Sequence, residues 1–266
     1  MKAEVAVDAQ AQYDTQLSAG QYIYDVPFDA DKFIGIDSKV NNIFNPIHSF
    51  VMSIENDKIL QMESRLKDNY TIIVGKKFPS NYSHSDIMLG VLRSHVECIR
   101  HAQKLNLDHV FIFEDDVIFI NNWRNIVSEF INNNEVNIIK FDRLPYNIIK
   151  DCPDYNKVYF HKTMMSCSLG GYYLSKLAIN TMLDRFDRLL KNNDKNLGME
   201  TLWNFLASPF NHEVYTTSPR ICIQDWYRQG QSNIQASRHL TNLKNMQERY
   251  YLSKYGHFYP EFASET

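Results

Sequence analysis

The sequence predicts an α/β fold with a mostly parallel central sheet, and three observations carry that prediction. Short apolar runs alternate with amphipathic stretches along most of the chain, the pattern of strands joined by helices. Some of these runs are apolar at every position rather than every second one, as in Val110-Phe111-Ile112-Phe113. A strand buried on both faces reads this way, and such strands belong to sheets covered by helices on both sides. That run ends in three consecutive carboxylates, Glu114-Asp115-Asp116. They stand at the carboxyl end of the strand, where open α/β sheets bind ligands.

The elements follow in order. Residues 1–46 lack clear periodicity and read as an N-terminal extension, with a strand-like piece at Tyr22-Ile23-Tyr24. Ser49 to Ile54 suits a first buried strand, and a helix is expected from Asp57 to Lys67. Tyr70 to Val74 makes a second strand, closed by Gly75. From Met88 to Leu105 the residues Leu89, Leu92, Val96, Ile99 and Ala102 recur at three-to-four spacing, which places them on one face of an amphipathic helix. Strand Val110 to Phe113 comes next, then a helix after Trp123. Further short strands are expected at Ile138 to Phe141, Val158 to His161 and Gly171 to Leu174, with a strand-like stretch at Arg220 to Ile223. Helices are expected at Lys176 to Leu190, around Met199 to Leu206, and in the tail from Leu240 to Tyr255. No internal repeat and no interdomain linker interrupts the pattern. The reading is one domain over residues 47–235, preceded by the 1–46 extension and followed by a helical tail, 236–266, packed on the same domain.

Composition narrows the function classes. With 266 residues, 44% of them hydrophobic, the chain has the material for one large core or two small ones. A net charge of −3 and the lack of a basic run leave no electrostatic footprint for nucleic acid. Cys98, Cys152, Cys167 and Cys222 form no CxxC pair, which argues against a zinc site or a disulfide framework and favours a reducing compartment. Residues 1–20 are polar and lack the apolar segment of a signal peptide. No stretch approaches the roughly 20 apolar residues that a membrane span needs. A soluble, cytoplasmic protein with no membrane span is the expectation.

Chemistry concentrates at the acidic triplet. Adjacent carboxylates repel one another and raise one another's pKa unless a cation compensates. A hard divalent ion such as Mn²⁺ or Mg²⁺ prefers oxygen ligands and suits such a cluster. The plainer reading is a solvated acidic turn, the default for surface charge. The buried strand before the triplet weighs toward a site.

Four segments, in order, resemble glycosyltransferase family 25, the lipooligosaccharide and collagen galactosyltransferase-like group. Gly90-Val91-Leu92-Arg93-Ser94-His95 resembles the family's G-x-x-x-S-H helix start, and Phe113-Glu114-Asp115-Asp116-Val117 its E-D-D-V acidic motif. Gly170-Gly171-Tyr172-Tyr173-Leu174-Ser175 is similar to its G-x-Y-x-L-S segment, and Gln231-Ser232-Asn233-Ile234 to its closing S-x-I element. Together they cover residues 48 to 235. The resemblance implies a GT-A (Rossmann-like) nucleotide-sugar transferase fold. It implies metal-dependent transfer of a hexose, galactose or glucose favoured, from a UDP-sugar to a glycan or glycoprotein acceptor, with inversion.

The same chemistry assigns roles. Displacing a nucleoside diphosphate from an anomeric carbon leaves negative charge on the departing phosphate, which Mn²⁺ or Mg²⁺ stabilises. Glu114 and Asp116 are spaced like a D-x-D pair, so both are metal candidates, with Asp116 the more direct ligand. Asp115 points elsewhere, to ribose or donor-sugar hydroxyls. Ser53, Ser94, His95, Gly170 and Gly171 join Asp115 as donor-binding candidates. An acceptor hydroxyl is a poor nucleophile and needs a general base. Glu200, in Gly198-Met199-Glu200-Thr201, opens a predicted helix and resembles the acidic motif that supplies the base in inverting GT-A enzymes. Its competing role is helix-terminus stabilisation, and Asp194 and Asp225 are the competing acids.

Several residues keep two readings. His95 shares a face with Leu92 and Ile99, so it is a packed core histidine or a donor contact. Gly170-Gly171 either lets backbone approach a sugar or forms a bulge. Trp226 and Tyr227 stack on an acceptor sugar or edge the core. Gln224, Asp225 and His239 lie where a GT-A enzyme brings a third metal ligand, and the sequence does not choose among them. The carboxyl ends at Ile54, Val74 and Phe113 are expected to border one nucleotide crevice. Among rival classes, a Walker B strand fails because no G-x-x-x-x-G-K-[ST] loop exists in the chain. A metal-dependent phosphohydrolase would add histidines beside its acids, whereas His109 falls within the strand. A non-catalytic or degenerate nucleotide-sugar or glycan-binding protein is the standing alternative.

Overall fold

The apolar runs become the middle strands of one large sheet. In the computed structural model the described residues are 23–28, 30–41, 47–53, 55–66, 69–75, 84–142, 146–150, 153–162, 169–191, 206–210, 213–225, 251–252 and 254–261. In chain order they form β1 (Ile23–Pro27), β2 (Phe33–Asp37), β3 (His48–Ser53), α1 (Asn56–Leu66), β4 (Tyr70–Val74), α2 (His84–Lys104), β5 (His109–Glu114) and β6 (Val117–Phe119). Then come α3 (Trp123–Asn133), β7 (Ile138–Lys140), β8 (Tyr146–Lys150), β9 (Lys157–Lys162), β10 (Gly171–Ser175), α4 (Lys176–Lys191), β11 (Val214–Ser218) and β12 (Cys222–Gln224).

Eight strands make the main sheet, in the order β2-β9-β11-β7-β10-β5-β3-β4, while β1-β8 and β12-β6 form two small ribbons. The expected mostly parallel sheet is corrected to a mixed one. Neighbours β5–β3, β3–β4 and β11–β7 run parallel, whereas β2–β9, β9–β11, β7–β10 and β10–β5 run antiparallel. The reason lies in the connections. A parallel neighbour needs a crossover of a dozen or more residues, usually a helix. Helices α1 and α2 supply it between β3, β4 and β5, but the described residues between β7 and β10 hold strands and no helix. The edge strand β2, within the expected extension, pairs with β9 over Phe33–Asp37.

Strand alternation divides the core into two layers. Phe111 and Phe113 of β5 pack with Met62 and Leu66 of α1 and with Trp123, Ile126, Val127 and Phe130 of α3. Val110 and Ile112 face the other way, onto Leu92, Val96 and Ile99 of α2 and Ala178, Met182 and Phe186 of α4. Helices on both faces explain why β5 is apolar at every position. Each such fully buried side chain contributes roughly 1.5–3 kcal/mol of hydrophobic stabilisation. The C-terminal residues Tyr251, Tyr255, Phe258 and Tyr259 join the α1–α3 layer. Among the described residues, no helix is long and apolar enough to cross a membrane.

Candidate functional site

Strands β5 and β7 run in the same direction, because β10 lies antiparallel between them. Strands β3 and β4 are parallel to β5, with Ser53 level with Val74 and Met52 level with Glu114. The carboxyl ends of four strands therefore share one edge of the sheet, and the acidic triplet sits there. Ile54 lies outside the described residues.

The three carboxylates point into different surroundings. Glu114 faces the α2 layer. Its N–H donates to the Gly170 carbonyl at 2.9 Å, its Oε2 accepts from Gln224 Nε2 at 2.5 Å, and its Oε1 lies 3.6 Å from His95 Nε2. His95 is wholly buried, with Nδ1 3.0 Å from the Tyr172 hydroxyl. It is thus a packed histidine, hydrogen-bonded to Tyr172 through Nδ1 and turning its Nε2 toward Glu114. Asp115 turns toward β3 and α1. Ser53 Oγ donates to its Oδ2 at 2.5 Å, and Lys58 Nζ stands 3.9 Å from its Oδ1. Burial pushes the Asp115 carboxyl up, while Ser53 and Lys58 pull it back.

Asp116 is in the least comfortable position. Its Oδ1 is sealed from water and takes no hydrogen bond among the described residues. Burial, then the charges of Glu114 and Asp115, push its carboxyl up to about 8; Lys58 opposes the rise and Asp142 adds to it. The main chain is fixed nonetheless, since the Asp116 carbonyl accepts the Asp225 N–H at 2.5 Å. Strand β6 then pairs with β12, Val117 level with Gln224, and holds the turn against the sheet.

Sequence reasoning missed four charged neighbours. Asp142, just beyond β7, pairs with Arg220 at 3.0 Å, both buried. Its position at a strand's carboxyl end is the signal that flagged the triplet, so it was findable. Arg65, in the last turn of α1, donates to the Val117 carbonyl at 2.9 Å, to Asp225 at 3.2 Å and to Glu261 at 2.8 Å. With Lys58, these residues come from elements far apart in sequence, and no local pattern marks them.

Other expected residues have neighbours within the protein. Ser94 donates to the Gly90 carbonyl at 3.2 Å, a bond within its own helix, and takes no part in the carboxylate network among the described residues. Gly171 pairs in register with Phe113, so no bulge forms there. A Cβ on Gly171 would meet Cys222 Sγ at 2.7 Å, and one on Gly170 would meet Asp142 Oδ2 at 2.8 Å. The close approach at these glycines is to protein groups. Asp225 is engaged by Arg65 and Gln224 by Glu114. Glu200, Asp194, Trp226, Tyr227, His239 and the segment Gln231–Ile234 lie outside the described residues.

The donor set fits a hard divalent cation in kind but is incomplete in number. Glu114 and Asp116 offer carboxylate oxygens, and the sealed Asp116 Oδ1 takes no hydrogen bond among the described residues. Among the described residues, no three His, Cys, Asp or Glu side chains are grouped to hold a metal ion. Any further protein ligand would come from outside the described residues.

The sequence model of glycosyltransferase family 25 (LPS biosynthesis protein) matches residues 49–197, more than half of the chain. Among solved structures, the chain is similar to a glycosyltransferase involved in the glycosylation of the major capsid of PBCV-1, with 12% identity over 69% of this chain and 82% of that one and a TM-score of 0.40. It is also similar to the glycosyltransferase GlyE of Streptococcus pneumoniae TIGR4, with 10% identity over 83% of this chain and 64% of that one and a TM-score of 0.39. The mannosyltransferase Ktr4p of S. cerevisiae aligns at 10% identity over 96% of this chain and 72% of that one, with a TM-score of 0.26. No curated protein matches the chain in sequence.

Proposed function

The chain belongs to glycosyltransferase family 25, and from that premise we propose that it is a metal-dependent, inverting hexosyltransferase of GT-A type. Its donor is a UDP-sugar, galactose or glucose favoured, and its acceptor a glycan or glycoprotein. The observation that supports this reading best is the buried Asp116 oxygen beside Glu114, at an edge where four parallel-running strands end.

Glu114 and Asp116 would hold Mn²⁺ or Mg²⁺, with Gln224 and His95 orienting Glu114 from either side. When bound, the cation offsets the charge that develops on the departing diphosphate. Ser53 aims Asp115, whose carboxylate is suited to accept hydrogen bonds from ribose or donor-sugar hydroxyls. Gly170 leaves the space that Asp142 occupies beside this cluster. Glu200, just past the family-matched segment, takes the acceptor proton as the hydroxyl attacks the anomeric carbon from the face opposite the leaving group.

The test is turnover of UDP-galactose and UDP-glucose with Mn²⁺, in the presence and absence of EDTA. Activity that survives excess EDTA removes metal dependence. Nucleotide binding without turnover favours the degenerate binding protein. Glu200→Gln should retain donor binding and lose about 10²- to 10⁴-fold in transfer; near-normal transfer by that variant moves the base to another acid.

A further inference from the structure

The edge that carries Glu114, Asp115, Asp116 and Asp142 is crowded with negative charge. The diphosphate of a nucleotide-sugar adds two more negative charges, so one divalent cation leaves the charge of the carboxylates unmatched. Most basic groups nearby are committed to structure. Arg220 is buried against Asp142, and Arg65 is bonded to the Val117 carbonyl, Asp225 and Glu261. Lys58 differs. Its Nζ lies 3.7 Å from Glu55 Oε2 and 3.9 Å from Asp115 Oδ1, both beyond hydrogen-bond length. The side chain is 19% exposed, so it is held near the acids by attraction while still reaching solvent.

Its placement is also directional. Helix α1 begins at Asn56, three residues past the end of β3, so Lys58 stands in the first turn of an 11-residue helix. That helix end carries the positive pole of the backbone dipole. Ser53, at the end of β3, anchors Asp115 toward the same side. The sealed Asp116 oxygen lies in the same turn and marks where a cation is wanted.

We infer that Lys58 binds the diphosphate of the nucleotide donor, turning from Asp115 and Glu55 to the incoming phosphate oxygens. The inference rests on the nucleotide-sugar reading above. An ammonium on a four-carbon stem suits the role, since it binds phosphate as a point charge with no fixed plane.

Binding of UDP and of inorganic pyrophosphate to the full chain with Mn²⁺, measured by calorimetry, tests it with Lys58→Gln and Lys58→Arg. Lys58→Gln should weaken both ligands by about 10- to 100-fold, the scale of lost hydrogen bonds to a charged group. Lys58→Arg should bind UDP close to wild type and melt with it, whereas Lys58→Gln, which takes the ammonium from Asp115, should melt somewhat lower. Equal UDP affinity in Lys58→Gln and wild type overturns the proposal. So does an equal loss in Lys58→Arg, because the defect then follows packing rather than charge. A wild-type chain that binds no nucleoside diphosphate at all instead overturns the nucleotide-sugar reading.

Discussion

Asp115 accepts a hydrogen bond from Ser53 Oγ at 2.5 Å and has Lys58 at 3.9 Å, whereas Asp116, one residue on, has a sealed oxygen that accepts none among the described residues. The two sides of the turn explain the contrast. Asp115 leans toward β3 and α1, which bring a hydroxyl and an ammonium. Asp116 feels the charges of Glu114, Asp115 and Asp142, which add to the effect of burial. A protein that left both carboxylates in the second situation would have difficulty folding, since uncompensated buried charge costs several kcal/mol or more. One carboxylate is satisfied by the chain itself. The other has no such partner among the described residues.

The comparison breaks most easily at Asp116. Asp116→Asn removes a charge where a cation is to be held, and transfer should fall by about 10²- to 10³-fold, as when a preorganised electrostatic group is deleted. Titration with Mn²⁺ should no longer restore it. Asp115→Asn is milder, because an asparagine oxygen still accepts from Ser53. Its loss should be about tenfold and appear mainly in the donor KM. Steady-state kinetics of the two variants side by side decide the matter. If Asp115→Asn is as damaging as Asp116→Asn, the two residues share one role and the contrast is empty.

Beside the triplet both the strands and their direction were legible in the sequence; in the other half β7, β9 and β10 were read as strands, but their antiparallel pairing and the strands β2 and β11 were not. Strands β3, β4 and β5 are separated by helices, so their apolar runs and the 3.6-residue period of α2 read in order. Strand β6 is a three-residue Val-Ile-Phe run directly after the triplet, β8 has only Ile148-Ile149 as an apolar pair, and β11 is Val-Tyr-Thr-Thr-Ser, so none of them reads as a separate strand. Strand β2 breaks its pattern at Gly35, which lies against the Tyr159 ring. Antiparallel neighbours were invisible because direction depends on connections, and those around β8 and β9 carry no periodic signal. The site divides similarly. A contiguous triplet is a local pattern, whereas Lys58, Arg65 and Arg220 reach it only through the tertiary fold.

A smaller effect, on stability rather than catalysis, sharpens the same comparison. In the fold the Asp116 carboxyl rises from 3.8 to about 8, chiefly through burial. For an acid raised by folding, the native state favours the protonated form. The stability it contributes is complete below 3.8, where both states are protonated, and is lost as pH climbs toward about 8. Within that window the unfolded chain ionises while the native carboxyl resists. The melting temperature of the metal-free protein should therefore decline with pH, and Asp116→Asn, which cannot ionise, should decline less, so that the curves separate toward pH 8. Mn²⁺ favours the ionised form, so added cation should raise the wild-type melting temperature more near pH 8 than at about pH 5. Asp115→Asn should alter the slope less, because Ser53 and Lys58 already oppose the effect of burial on that carboxyl. Melting curves for wild type and Asp116→Asn that stay parallel across the window would place the Asp116 carboxyl in water, and the difference between the two neighbours would disappear.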